Sequence, residues 1–198
     1  MKGCSRHAPL SGCEPPYEPD VWNNLKSIFL THNCFSYGMN YIDKKQIEEC
    51  EKNDCNTAFH QPGSISGYPK FNDKDPKTCP NMIGRIIGDI NGITPSKFEK
   101  KCPKGSSKIA LIVDEDQDYH FLRQDSNGYF SQKSGALKVT NKDAQGHKIF
   151  DVELANHNFK RVNKSNLHYD RFCGYFCVPR DTPFTIKVGG RRNTRRKR

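Results

Sequence analysis

The run Lys108-Ile-Ala-Leu-Ile-Val-Asp114 restricts the fold more than any other segment. Its unbroken apolar centre is short and β-branched, which predicts a central strand buried on both faces. Two further strand-like stretches follow at residues 119–123 and 128–132. Between them lies Gln124-Asp125-Ser126-Asn127-Gly128, whose Asn-Gly pair signals a hairpin. Residues 108–133 therefore read as an antiparallel meander. A turn at 141–146 leads into Ile149-Phe150-Asp151-Val152, and Phe172-Cys-Gly-Tyr-Phe-Cys-Val-Pro179 reads as a buried final strand.

The segments before this sheet have helical spacing. Val21, Trp22, Leu25, Ile28 and Phe29 predict one helix over 21–30, and a second short helix is expected from Cys34 to Asn40 behind the capping residue Asn33. Thr78 and Pro80 open a third, with Ile83, Ile86, Ile87 and Ile90 on one face and Gly92 past its end. Helices first and an antiparallel sheet after them make the class α+β. A length of 198 residues suits one domain, expected over 21–188, with a Cys- and Pro-rich arm at 1–20 and a basic tail at 189–198. The Pro/Gly-rich loop at 61–69 is long enough to carry function.

Nine cysteines are unusual for a reducing cytosol, yet the N-terminus lacks the apolar stretch of a secretion signal. Spacing suggests local pairs: Cys4 with Cys13, Cys50 with Cys55, Cys79 with Cys102, and Cys173 with Cys177. Four bridges leave Cys34 as the odd thiol. No Cys-x-x-Cys is present, so neither a metal nor a cofactor is expected.

Cys34 sits at a helix head, where amide donors and the helix dipole favour a thiolate. Amide hydrolysis by cysteine also needs a histidine to carry the proton and a polar group to orient the ring. His120, on a strand of the meander, is the expected base. The neighbouring strand offers Ser131 or Gln132 as orienter, and Asp125 is a further candidate, although its turn sequence accounts for it without catalysis.

The strings Asn33-Cys-Phe-Ser-Tyr37, Tyr119-His-Phe-Leu-Arg-Gln-Asp-Ser-Asn-Gly-Tyr-Phe-Ser-Gln-Lys-Ser-Gly135 and Phe172-Cys-Gly-Tyr-Phe-Cys-Val-Pro179 resemble a largely uncharacterised family of bacteria and large DNA viruses. That family is in turn similar to papain-like cysteine peptidases and cell-wall amidases. The resemblance covers roughly residues 31–180 and implies a papain-like fold with Cys34 as nucleophile and His120 as base. The family pattern has histidine where this chain has Gln132, and Pro-Gly where it has Ser134-Gly135. A glutamine can still accept one hydrogen bond from the imidazole.

The formal charge of +10 is concentrated in Arg191, Arg192, Arg195, Arg196, Lys197 and Arg198. Six such charges would attract polyanions without reading sequence, and the body carries no motif of a nucleic-acid-reading module. No apolar run is long enough to span a membrane. The reading drawn from the sequence is a structural component of a large assembly, a minor capsid protein of a virion with other capsid proteins as partners, or else a soluble intracellular protein. Its alternatives are an active cysteine amidase or peptidase and a nonspecific nucleic-acid binder acting through the tail.

Overall fold

The strand expected at 108–114 is the centre of the sheet: β2 (Ser106–Asp114) is buried along nearly its whole length. In the computed structural model, which describes residues 7–56, 58–71, 75–160, 162 and 165–180, β2 is antiparallel to both β3 (Asp118–Gln124) and β5 (Arg171–Pro179). Adding β1 (Thr94–Ser96) and β4 (Phe130–Gln132) gives the order β1-β5-β2-β3-β4, antiparallel throughout. β1 escaped the sequence reading because it is three residues long with Pro95 at its centre, which suits only an edge. The stretch at 149–152 that follows the expected turn contributes one bridge, Ile149 to Phe130.

Alternation along β2 divides the core. Ile109, Leu111 and Val113 face one layer, while Ala110 and Ile112 face the other. On the first side lie α3 (Cys34–Gly38), through Phe35 and Met39, and α5 (Cys79–Asp89), through Met82 and Ile86. At Gly38 a Cβ would come within 3.1 Å of the Phe121 Cβ, so the glycine lets α3 approach β3. The second side is covered by Ala8, Ile149, Val152 and Tyr169. The helix expected over 21–30 is divided into α1 (Pro19–Asn23) and α2 (Lys26–Thr31), because Leu25 takes an extended conformation (φ −89°, ψ 116°). α4 (Lys44–Lys52) is capped by Asp43 and closed by the Cys50–Cys55 disulfide.

Two of the expected local cysteine pairs are re-paired across the fold. The bonds are Cys79–Cys173 and Cys102–Cys177, not Cys79–Cys102 and Cys173–Cys177. Cys177 lies four strand positions after Cys173, about 13 Å along an extended chain, which is beyond disulfide reach. A bulge is the second reason. Leu111 pairs with Gly174 and Ile112 with Phe172, so Cys173 is the extra residue and turns towards the helical layer, where Cys79 heads α5. Cys4 lies outside the described residues, and Cys13 forms no disulfide within them.

The arm packs on the body where it is described. The Ala8 carbonyl accepts from Gln124 Nε2 (2.7 Å), the Pro15 carbonyl from Ser126 N (2.9 Å), and Ser11 Oγ donates to the Ser106 carbonyl.

Candidate functional site

Asn33 shapes the head of α3. Its side-chain oxygen accepts from Phe35 N (3.1 Å) and Ser36 N (3.2 Å), while its amide donates to the His60 carbonyl (3.0 Å). Cys34 follows and lines a cleft of about 440 Å³. Across the sheet edge, His120, Asp118 and Tyr119 of β3 line the same cleft, with Phe59, Gln61, Phe71 and Tyr169 among its other walls. The fold thus brings Cys34 and His120, 86 residues apart, to one cavity.

Gln132 stands behind the imidazole. Its Nε2 donates to the Lys142 carbonyl (2.7 Å), so its Oε1 accepts from His120 Nε2–H at 2.9 Å. This fixes the tautomer and leaves His120 Nδ1 as the unprotonated nitrogen. The ring stacks on Tyr169, with centroids 5.3 Å apart. Ser131, the other orienter considered, is bonded to Tyr37 Oη instead (2.6 Å).

The electrostatics oppose an ion pair. Burial pushes the Cys34 thiol up to about 12, with the Asp118 carboxylate adding to the effect. Burial also pulls His120 down to about 3, against the hydrogen bond that it donates to Gln132. Cys34 Sγ donates weakly to the Tyr119 carbonyl (3.9 Å). In this arrangement the pair is a neutral thiol and a neutral imidazole.

Asp125 has no place in the cleft. It is fully buried, and Arg123 Nε donates to it at 3.0 Å. Arg123 also donates to Asn40 Oδ1 (2.6 Å) and the Pro16 carbonyl (3.1 Å), and it stacks on Tyr37 with its guanidinium carbon 4.0 Å from the ring centre. Asp125 is therefore the counterion of a structural arginine. The basic residues Arg191, Arg192, Arg195, Arg196, Lys197 and Arg198 lie outside the described residues. Among the described residues no cluster of three or more His, Cys, Asp or Glu could hold a metal, and no helix is long and apolar enough to cross a membrane.

Two contributors escaped sequence reasoning. Tyr169 comes from a loop with no periodic signal. Lys133 is fully buried and donates to the Phe29 carbonyl (2.8 Å) and the Gly135 carbonyl (2.6 Å), fixing the turn that forms one cleft wall. A lysine in a polar stretch gives no hint of such burial.

No family model matches the chain, and no solved structure matches it. Among curated proteins it is 30% identical over 148 residues to insoluble matrix shell protein 1 of Ruditapes philippinarum, a match covering 72% of this chain and 82% of the relative. The chain belongs to the family of insoluble matrix shell protein 1. That membership overturns the expected placement in a virion or inside the cell. The relative is a shell matrix protein, and the three disulfides among the described residues fit an oxidising, extracellular setting.

Proposed function

We propose that the chain is a secreted structural protein of an extracellular matrix, built on a papain-like scaffold whose Cys34–His120 pair is held uncharged. The observation that carries this reading is the sequestered thiol: Cys34 is buried, turned to the Tyr119 carbonyl, and raised to about 12. A cysteine nucleophile acts as its thiolate, which this environment suppresses. The shell matrix relative supports assembly with other matrix proteins as the role. Cross-links that join distant segments suit a protein that must persist outside the cell.

The test is iodoacetamide labelling of the native chain near neutral pH, read at the Cys34 peptide by mass spectrometry. Labelling is expected to be about a thousandfold slower than in the unfolded chain, in proportion to the suppressed thiolate. Amide hydrolysis that disappears in Cys34→Ala would overturn the reading. Antibody staining of the producing tissue should mark the extracellular matrix, and a signal confined to the cytosol would be equally damaging.

One observation favours a second reading, an active cysteine amidase with Cys34 as nucleophile, His120 as base and Gln132 as orienter. Gln132 holds His120 in the tautomer that a general base requires. Turnover would need Sγ to leave the Tyr119 carbonyl for His120 Nδ1. Hydrolysis retained in Gln132→His and lost in His120→Ala would favour it.

A further inference from the structure

The cleft that Cys34 and His120 share has a cationic wall for which neither reading above has a use. Lys77 lines it. Its side chain is 6% exposed, and its ammonium meets no hydrogen-bond or ion-pair partner among the described residues. Lys77 Nζ is not one of the unpaired side-chain atoms that are sealed from solvent, so the ammonium opens onto the cleft. A cation this far out of water without a partner is costly, and a bound anion offsets that cost.

The cation is positioned before any ligand arrives. Lys77 N donates to the Glu115 carbonyl (2.8 Å), and the next residue, Thr78, caps α5, whose head is tied to β5 by Cys79–Cys173. Lys77 Nζ lies 5.8 Å from the centre of the Phe71 ring, on which the Arg85 guanidinium stacks at 3.8 Å. Asp118 lines the same cleft without pairing with Lys77: its carboxylate accepts from Tyr119 N (2.8 Å) and Tyr169 Oη (3.1 Å). Like charge on Asp118 confines an incoming anion to Lys77. Phe59, Leu137 and Leu167 supply apolar wall, and Leu137 is 52% exposed.

We propose that the cleft holds a segment of a partner polypeptide in which an acidic residue adjoins an apolar one. Its carboxylate sits on Lys77 Nζ and its apolar side chain packs against Phe59, Leu137 and Leu167. Lys77 is the one cation in this lining, which suits a single carboxylate. A phosphate would bring more charged oxygens than the cleft has cations to pair. An acidic partner also matches the formal charge of +10. The proposal rests on the structural reading in one respect: a cleft with a silent thiol retains its partner instead of cleaving it.

The experiment follows the Leu137 and Leu167 methyl resonances of the full chain during titration with acetyl-Gly-Leu-Asp-Gly-amide, its Asn counterpart and, separately, 4-methylpentanoate. Saturable binding of the Asp peptide is expected, with Kd on the order of 1 mM. It should be about tenfold tighter than the Asn peptide, as a charge-assisted hydrogen bond implies. Lys77→Gln should erase that difference and Lys77→Arg should keep most of it, with the remaining methyl resonances reporting an intact fold. Leu137→Glu, read at Leu167, should weaken the Asp peptide more than the Asn peptide. Equal affinity of the two peptides would overturn the proposal, as would an Asp preference that survives in both Lys77→Gln and Leu137→Glu. Binding of 4-methylpentanoate as tight as that of the peptide would make the ligand a free acid and overturn it too. Cleavage of the peptide that disappears in Cys34→Ala would sink the structural reading and retention together, and mass spectrometry of the mixture separates that failure from a loss of Lys77 dependence.

Discussion

Arg123 shows how much a single buried charge depends on its partners in this chain. Its ion pair with Asp125, its bonds to Asn40 and the Pro16 carbonyl and its stacking on Tyr37 tie three segments together. Arg123→Met leaves Asp125 buried and unpaired, so urea denaturation should reveal a loss of about 3–5 kcal/mol. The double variant Arg123→Met/Asp125→Leu should recover a substantial part of it. Histidines act in the opposite sense. His120 is pulled down to about 3 and His32 to about 4, mainly by burial. His32 is locked neutral as well, since its Nε2 accepts from Asp43 N (2.9 Å) and its Nδ1–H reaches Thr31 Oγ1 (2.9 Å). The unfolded chain binds more protons wherever pH lies below the unfolded value of about 6.5 and above these folded values. Their contribution is thus complete above about pH 6.5 and is lost as pH falls towards 3, by a few kcal/mol on the order-of-magnitude scale. His120→Gln should flatten that acid limb without removing it, because His32 continues to titrate.

At the scale of elements, the long-range disulfides join layers that sequence neighbours do not. Cys79–Cys173 ties α5 to β5, and Cys102–Cys177 ties the loop after β1 to the same strand. Closing a loop of 94 residues is worth on the order of 4 kcal/mol in the chain-entropy picture, against roughly half that for the five-residue Cys50–Cys55 loop. Non-reducing peptide mapping should recover the 79–173 and 102–177 links. Cys79→Ser/Cys173→Ser should lower the urea midpoint more than Cys50→Ser/Cys55→Ser does, and the reverse order would contradict this topology. β2, the capped head of α3 and the start of α5 were legible because each announces itself locally: a β-branched run, Asn33 before Cys34, Thr78 before Pro80. The break between α1 and α2 carried no such mark.

For the whole molecule, the arm is part of the core rather than an appendage. Ala8 is 1% exposed among the residues that cover the outer face of the sheet, and Pro16 supplies one of the acceptors of Arg123. Removing residues 1–16 should therefore destabilise the domain, seen as a lower thermal midpoint and faster proteolysis; an unchanged midpoint would mean that the arm contributes only cover. By itself, the sequence determined the α+β order and the central strand, because these follow from local periodicity, and it singled out Cys34 and His120, which line one cleft. Only the tertiary structure decided the two long-range cysteine pairs, since a bulge turned Cys173 to the other face of β5. It also decided that Asp125 belongs to Arg123. It set the charge state of the Cys34 stretch as well: the helix head favours a thiolate, but burial outweighs it and leaves a neutral thiol. Burial is a property of the packed layers, and no stretch of sequence carries it alone.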